Sequence, residues 1–360
     1  MAMNDRIQAV ILAGGEGTRL RPLTNTRPKP LLPILGRPCV EYVIRSLADA
    51  DAAKVYLTCG YRSQDMLDAL GDGRRFGVDL EFALEDQPAG TAGAVKLLED
   101  KLDGTFVVAS GDVLADVDIR SLVEAHRRKK AVATMALTTV DRPEEFGIVG
   151  LDDDGRIVRF KEKPRTEEVF SNLINAGIYV LEKEALDHVP EGEKFDFSKQ
   201  LFPRLLELGR PIYGSKIEGL WKDIGRPRDL LDANVRMAER KGQAIKVDGA
   251  KSTGSIVGAD FTARGSEVRG PAYVGSKTVL GKGSLLDRSA VGGAVEVGAG
   301  TTISDSFVMG GCVLGEGCEI KGSLLGEGCT IGPGARIMDS VLGDRVRLDA
   351  SSVVENRTLE

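Results

Sequence analysis

A glycine-rich segment near the start of the chain has the composition of a phosphate-binding loop. The apolar residues 7–12 lead into Ala-Gly-Gly-Glu-Gly at 13–17, and Arg19 follows closely. Glycine lets the backbone approach a ligand, and successive N–H groups in such a turn can bind an anion. The segment lacks the string G-x-x-x-x-G-K-[ST], and Leu20 breaks the dinucleotide fingerprint G-x-G-x-x-G. It is therefore a candidate phosphate loop outside those two classes.

Lys29 is a second cation that the sequence sets apart, because Pro28 and Pro30 flank it. Prolines on both sides predict an extended backbone at this lysine. A stiffened backbone around one cation loses less entropy when that cation must hold a phosphate. Together with Arg19, Lys29 can supply two positive charges to one cluster of phosphates.

Two aspartates in apolar surroundings are candidate metal ligands. Asp112 follows the apolar run at 105–110, and Asp223 lies in Leu-Trp-Lys-Asp-Ile-Gly at 220–225. Magnesium bound to phosphates takes one or two protein carboxylates, and water and phosphate oxygens complete its shell. Two aspartates from distant parts of the sequence are therefore enough for such a site, although an aspartate after glycine also forms turns.

The first two-thirds of the chain shows the alternation of strands and helices that can position these residues. Apolar runs predict strands at 7–12, 54–59, 78–84 and 105–110, and helical spacing predicts helices at 38–50, 63–70, 91–102 and 227–241. This order predicts βαβ units and a parallel sheet, whose ligands bind at the carboxyl ends of the strands. The residues 14–19, the loop 85–91 and Asp112 are then expected along one edge.

The last third of the chain is a repeat. Aliphatic residues recur every 17 positions from about residue 257, in three parallel series. The series are Val257, Val274, Val291, Val308, Leu325 and Leu342; Leu280, Val297, Leu314, Ile331 and Leu348; and Leu286, Ile303, Ile320 and Ile337. Three inward residues per coil, with glycine at many corners, predict a triangular parallel β-helix. The predicted domains are residues 1–240 and 253–360, joined by a linker at 241–252.

Composition narrows the classes of partner. The chain of 360 residues has 48 basic and 54 acidic residues, which argues against bulk binding to nucleic acid. It contains no apolar run long enough for a membrane span and no signal-peptide pattern at its start. The five cysteines lack metal-type spacing and are expected as small buried residues, so a cytoplasmic location is expected.

Six motifs, in order along residues 7–229, resemble the signature of the sugar-1-phosphate nucleotidyltransferases, the NDP-sugar pyrophosphorylases. They are the residues 13–24 with Lys29-Pro30, 88–94, Gly111-Asp112, 160–164, 172–179 and 221–225. The pattern most resembles the mannose-1-phosphate guanylyltransferases, and the repeat resembles the hexapeptide-repeat left-handed β-helix of many family members. The resemblance implies an α/β, Rossmann-like, mostly parallel open sheet with helices on both faces, followed by that β-helix.

The resemblance also implies a role for individual residues. The nucleotide-binding residues would be Leu12, Ala13, Gly14, Gly15, Gln87, Gly90 and Thr91. The catalytic residues would be Arg19 and Lys29 on the triphosphate, with Asp112 and Asp223 as ligands of Mg²⁺. The sugar-phosphate-binding residues would be Gly147, Glu162, Lys163 and Asn175. The implied reaction is attack by a sugar 1-phosphate on the α-phosphorus of an NTP, with release of pyrophosphate. It requires no general base, because a phosphate is mostly ionised at neutral pH.

The sequence leaves open which nucleotide and which sugar phosphate are the substrates. GTP and mannose 1-phosphate are expected, but Gln87 stands before Pro88 where an acidic residue is more usual in that subfamily. Its amide both donates and accepts and could read a pyrimidine, which keeps glucose-1-phosphate thymidylyl- or uridylyltransferase as an alternative. A non-catalytic NDP-sugar-binding regulatory subunit is the alternative of another class. A second, acyltransferase activity is not expected, because residues 189–360 lack histidine. A homo-oligomer formed through the β-helix is expected, since end coils expose strand edges.

Overall fold

The computed structural model describes residues 6–85, 87–244 and 247–360. Asp86 of the loop 85–91 and residues 245–246 of the predicted linker lie outside this part. The chain divides into two compact units. Among the described residues, those within 6–15 and 40–221 form the first unit, and those within 16–39 and 222–360 form the second.

The first unit is built on a mixed sheet, which has nine strands in the described part of the chain. Its centre is parallel: β1 (Gln8–Leu12) lies between β2 (Lys54–Cys59) and β4 (Thr105–Ser110), and β3 (Asp79–Leu84) pairs with β2. The middle residues of β1 are fully buried, as expected for a parallel strand covered on both faces. The predicted parallel core is therefore present.

A mostly antiparallel half extends this core. The strands that follow β4 along the chain, as far as Asp223, are β5 (Val113–Val117), β6 (Ala133–Thr139), β7 (Gly147–Leu151), β8 (Ile157–Glu162), β9 (Leu173–Glu182), β10 (Ile212–Lys216) and β11 (Gly219–Asp223). The last two residues of β11 belong to the second unit. Among the described strands of this half of the sheet, only β10 pairs parallel, with β6. The long strand β9 pairs antiparallel with β4, β6 and β7, and β8 pairs with β7. A separate two-stranded sheet joins β5 and β11. The strand β9 thus connects the parallel core to the hairpin β7–β8.

The α-helices are α1 (Cys39–Asp49), α2 (Ser63–Leu70), α3 (Gly90–Lys96), α4 (Ile119–Lys129), α5 (Phe202–Glu207) and α6 (Pro227–Lys241). Helix α4 begins where the Asp118 side chain accepts a hydrogen bond from the N–H of Ser121, at 3.0 Å. The predicted helix at 91–102 is too long, because α3 ends at Lys96 and a separate 3-10 turn, Glu99–Lys101, follows it. None of the described helices is both long and apolar enough to cross a membrane.

The second unit contains a left-handed parallel β-helix, with three sheets in the described residues. The first sheet has the strands Ala250–Thr253, Ser266–Arg269, Leu285–Asp287, Thr302–Ser304, Glu319–Lys321, Arg336–Met338 and Val353–Glu355. The second has Ile256–Gly258, Ala272–Val274, Ala290–Val291, Phe307–Val308, Leu324–Leu325, Val341–Leu342 and Thr358–Leu359. The third has Thr262–Ala263, Val279–Leu280, Glu296–Val297, Val313–Leu314, Thr330–Ile331 and Arg347–Leu348. The predicted triangular β-helix is confirmed.

The three predicted series of aliphatic residues form the core of the β-helix, except that Leu348 is half-buried at its edge and Val257 lies outside it. Val257 was expected inside, but Ile256 is the buried residue of the first coil and Val257 is half-buried. The reason is a change of register, since Gly258, not Val257, pairs with Val274. On the second sheet, the step from the first coil to the next is therefore 16 residues, one shorter than the 17-residue steps that follow on that sheet.

The segment 16–39 belongs to the same unit as the β-helix. It contains the 3-10 turns Thr18–Leu20 and Lys29–Leu31. Lys29 was expected in extended backbone, but it begins a turn, because the N–H of Leu32 bonds back to its carbonyl at 3.0 Å. Asn234 of α6 donates to the carbonyl of Pro33 at 3.1 Å and so ties this segment to the helix.

Candidate active site

The candidate nucleotide-binding residues of the first unit follow the carboxyl ends of its parallel strands. Leu12 ends β1, and its carbonyl accepts a hydrogen bond from the N–H of Gly111 at 2.8 Å. The N–H of Ala13 donates to the carbonyl of Thr58 at 3.0 Å. Gly14 and Gly15 continue from this point and are exposed, while Asp112 is half-buried. The structure thus brings the glycine loop and the Gly-Asp motif to one edge of the sheet.

Glu85 lies beside this glycine loop, and the sequence analysis did not single it out. A Cβ atom placed on Gly14 would lie 3.2 Å from Oε1 of Glu85. The other oxygen of Glu85, Oε2, accepts from the N–H of Ala89 at 3.5 Å. Gln87, the predicted base-reading residue, is exposed in the same loop. A carboxylate at the third position before the motif Pro-Ala-Gly-Thr is the signal that could have identified it.

Gly90 and Thr91 begin α3 and contact the segment 195–197. The N–H of Thr91 donates to Oδ1 of Asp196 at 3.1 Å, and its Oγ1 accepts from the N–H of Phe197 at 2.9 Å. A Cβ atom on Gly90 would lie 2.7 Å from the carbonyl oxygen of Phe195. These two residues therefore also hold the loop 87–91 against a neighbouring segment.

The candidate sugar-phosphate residues of the first unit lie around the hairpin β7–β8 and strand β9. A Cβ atom on Gly147 would lie 2.7 Å from Oε2 of Glu162, so a glycine leaves room for this carboxylate. Asn175 donates to the hydroxyl of Tyr179 at 2.9 Å and to Oγ of Ser198 at 3.2 Å. The structure thus pairs Gly147 with Glu162 and fixes the amide of Asn175.

Burial is the main cause of the pKa shifts of two groups in this region, Glu162 and Tyr179. It raises the pKa of Glu162, and the nearby charges of Lys163 and Lys199 offset part of that rise. It also raises the pKa of Tyr179 to about 12, so this phenol stays protonated and can hydrogen-bond. Lys163 itself is exposed, and its N–H donates to the carbonyl of Phe146 at 2.9 Å. Lys199 is a further cation beside Glu162 that was not predicted, because it lies outside the six family motifs.

The second unit brings together three of the four predicted catalytic residues. Lys29 is buried, and its Nζ lies 4.0 Å from Oδ1 of Asp223. A Cβ atom on Gly225 would lie 2.9 Å from Oδ2 of Asp223 and 3.3 Å from Nη1 of Arg19. The glycine of the Trp-Lys-Asp-Ile-Gly motif therefore allows the carboxylate and the guanidinium to approach the same backbone.

Gly17 has a separate packing role in this unit. Its φ of +64° lies in the left-handed region, and a Cβ atom there would come within 2.9 Å of Cβ of Lys29. Thr24 closes the same turn, since its hydroxyl donates to the carbonyl of Gly17 at 2.9 Å. The glycine cluster thus supports Lys29 directly.

The chemistry of the two aspartates fits a hard divalent cation. Both offer carboxylate oxygens, which Mg²⁺ prefers, and each is half-buried. No group of three or more His, Cys, Asp or Glu side chains arranged to hold a metal occurs within the residues described by the structure. Magnesium that also binds substrate phosphates needs fewer protein ligands than such a cluster provides.

Comparison with known proteins agrees with this fold and these motifs. Residues 8–240 match the family described as "Nucleotidyl transferase", and residues 268–359 match "GMPPB C-terminal domain". The chain is 35% identical to a UTP–glucose-1-phosphate uridylyltransferase of Synechocystis, over 76% of this chain and 74% of that protein. It is 34% identical to a mannose-1-phosphate guanylyltransferase of Mycobacterium tuberculosis, over 79% and 80%.

A solved structure agrees as well. A Bacillus anthracis protein assigned as a glucose-1-phosphate thymidylyltransferase, in complex with sucrose, has a TM-score of 0.60 and 29% identity. The match covers 67% of this chain and 98% of that one. The chain belongs to the nucleotidyl transferase family, and it is a sugar-1-phosphate nucleotidyltransferase. Nucleotidyltransferases of this family generally use a divalent metal.

Proposed function

We propose that the chain transfers GMP from GTP to mannose 1-phosphate and releases pyrophosphate. The observation that carries the choice of base is the carboxylate of Glu85 beside Gly14. A carboxylate only accepts hydrogen bonds, and guanine presents two adjacent donors, N1–H and the N2 amino group. Uracil and thymine present one N–H between two carbonyl oxygens, which a carboxylate repels. The relative from M. tuberculosis supports the same base.

The predicted roles of the individual residues remain part of this proposal. Leu12, Ala13, Gly14, Gly15, Gln87, Gly90 and Thr91 would bind the nucleotide, and Gly147, Glu162, Lys163 and Asn175 would bind the sugar phosphate. Arg19 and Lys29 stabilise negative charge on the triphosphate, while Asp112 and Asp223 are the ligands proposed for Mg²⁺. The metal, when bound, neutralises phosphate charge. The nucleophile is the sugar phosphate, so these residues align reactants and need not remove a proton.

The proposed location of the protein rests on its cysteines. All five cysteines lie in described residues as buried thiols outside any disulfide, which favours a reducing compartment, so we propose a cytoplasmic location. A homo-oligomer formed through the β-helix is also proposed.

The test is a pyrophosphate-release assay that crosses four NTPs with mannose, glucose and N-acetylglucosamine 1-phosphates. GTP with mannose 1-phosphate is expected to be fastest. In Glu85→Gln, the preference for GTP over UTP should fall by about tenfold or more, since a bidentate base contact is worth about 1–3 kcal/mol. Glu124→Gln on α4, whose carboxylate is 58% exposed, is the matched control.

A uridylyltransferase is the second candidate. The relative from Synechocystis has this activity by name, and the amide of Gln87 in the loop 85–91 could read a pyrimidine. A uridylyltransferase would show the highest rate with UTP and glucose 1-phosphate, together with loss of that preference in Gln87→Ala. Absence of pyrophosphate release in every combination would favour the regulatory-subunit alternative.

A further inference from the structure

Arg27 joins the 16–39 segment to the β-helix within the second unit. Its Nη1 donates to Oε1 of Glu327 at 2.5 Å, and its Nη2 bonds to Oδ2 of Asp344. The hydroxyl of Thr26 bonds to the same oxygen of Asp344. The guanidinium thus binds two carboxylates from successive coils of the β-helix, far along the chain from the segment that carries it.

The carboxylates are arranged to receive this cation. Asp344 uses Oδ1 to accept from the N–H of Glu327 at 2.7 Å, which leaves Oδ2 for Arg27 and Thr26. The side chains of Arg27 and Asp344 are 13% and 10% exposed. A charge buried to this extent is unfavourable unless it is paired, and removal of one partner leaves the other uncompensated. The ion pair is therefore a specific contact and not a solvated surface pair.

The contact is one of several along the same face of the β-helix. A Cβ atom on Gly36 would lie 2.2 Å from the hydroxyl of Tyr273, and Pro22 lies 3.2 Å from such an atom on Gly343. The sulfur of Met309 is 3.9 Å from Nη1 of Arg27. The segment therefore runs past several coils, and Arg27 is its charged attachment.

Arg27 stands two residues before Lys29, at the start of the turn that holds this lysine. The N–H of Leu31 bonds to the carbonyl of Pro28 at 3.0 Å, so the backbone after Arg27 turns at once. Arg27 is therefore placed to set the direction in which Lys29, and through Gly17 the preceding loop, enters the site.

We propose that Arg27 is a positioning residue, and that the acidic pair Glu327 and Asp344 makes the β-helix part of the triphosphate-binding machinery. Arg27 acts through Lys29 and Arg19 and touches no reactant. This inference rests on the proposed function, in which those two cations bind the NTP. The β-helix then serves catalysis through its contact with this segment, in addition to any role in assembly.

The experiment compares Arg27→Met, Asp344→Asn, their double variant and Arg27→Lys in the full chain. Because small misplacements of reacting groups cost up to about 10²-fold, kcat/KM for the NTP should fall by about 10–10²-fold in Arg27→Met. The KM for the sugar 1-phosphate should not change. Arg27→Lys should restore part of the loss, and Asp344→Asn should add little to Arg27→Met. Arg336→Met, which breaks the exposed 3.1 Å pair with Glu319, is the control.

Hydrogen exchange without substrates gives a second readout that does not depend on activity. Amides of residues 20–32 should exchange faster in Arg27→Met and Asp344→Asn, and those of strand β2 should not. Unchanged exchange and unchanged kcat/KM in these folded variants, or fully additive effects, would overturn the proposal. If the wild-type chain shows no turnover with any substrate pair, the proposed function fails, and hydrogen exchange alone decides whether Arg27 orders the segment.

Discussion

At the scale of residues, the candidate catalytic cations of the second unit lie against glycines, at positions where any side chain would crowd them. Lys29 packs against Gly17 and lies 4.0 Å from the carboxylate of Asp223, and Arg19 approaches Gly225. Pre-positioned cations stabilise charge in a transition state without reorganising when the reaction occurs. The rate should therefore depend on these side chains more than folding does.

Arg19→Ala and Asp112→Asn are each expected to lower kcat by about 10²–10³-fold, as when one preorganised electrostatic contact is removed. Circular dichroism and thermal unfolding should show that both variants fold. The control is Arg21→Ala, since Arg21 is 50% exposed and pairs with Glu16 at 3.6 Å. Near-normal turnover in Arg19→Ala would contradict its proposed role on the triphosphate.

The stability of the chain should depend on pH through Glu162, because burial raises the pKa of this carboxyl. The pKa of Glu162 in the folded chain then lies above the unfolded value of about 4.3. The contribution of this carboxyl to the free energy of unfolding is therefore fully present below that pH and is lost as pH rises through the folded pKa. Glu162→Gln removes this loss. The Tm difference between the variant and the wild type should therefore grow in favour of the variant from about pH 4 to about pH 7.

Glu167→Gln provides the comparison, because the side chain of Glu167 is 64% exposed. This variant measures the effect of removing one exposed carboxylate from the same region. A constant Tm difference for Glu162→Gln would show that this carboxylate is not destabilised by burial.

At the scale of elements, the β-helix is held together at one corner by a column of buried serines. Ser289, Ser306, Ser323 and Ser340 each stand 17 residues apart, one per coil. The N–H of each later serine donates to Oγ of the one before, at 3.0–3.1 Å. The column satisfies backbone groups that a tight corner would otherwise leave buried without partners.

Ser306→Ala should lower the free energy of unfolding by about 1–3 kcal/mol, because it leaves the N–H of Ser323 without its side-chain acceptor. Urea denaturation measures this change. Ser276→Ala, at an exposed position of the β-helix, should change the stability by less than about 0.5 kcal/mol. Equal stabilities of the two variants would argue against the serine column as a stabilising feature.

At the scale of the whole molecule, assembly should involve the outermost described coil. Its strands Val353–Glu355 and Thr358–Leu359 each pair with a neighbour on one side, and Val353 is 64% exposed. Such edges pair readily with another chain unless they are covered. The proposed homo-oligomer is therefore tested at this coil.

Light scattering should give a mass of at least two chains, and Val353→Lys should lower it by placing a charge at the coil end. Val313→Lys is the matched control, because Val313 is 44% exposed in an inner coil of the same β-helix. A wild-type monomer over the whole concentration range would rule out assembly through this end.

The sequence by itself determined the features that depend on local pattern. Strand β1, helix α6 and most of the inward columns of the β-helix follow from apolar spacing, which reflects side-chain direction within one element. The family was likewise evident from six motifs that each lie within one short segment. The buried serine column has the same 17-residue period, so it was open to prediction although its hydrogen bonds were not.

Only the tertiary structure decided which distant residues meet. The pairing of Arg27 with Asp344 joins positions 317 residues apart, and no periodic signal marks such a contact. The shorter first step on the second sheet of the β-helix, the turn at Lys29 and the place of Glu85 beside Gly14 also depend on how backbone segments pack. Local spacing specifies the direction of a side chain, whereas the close approach of two segments depends on the whole fold.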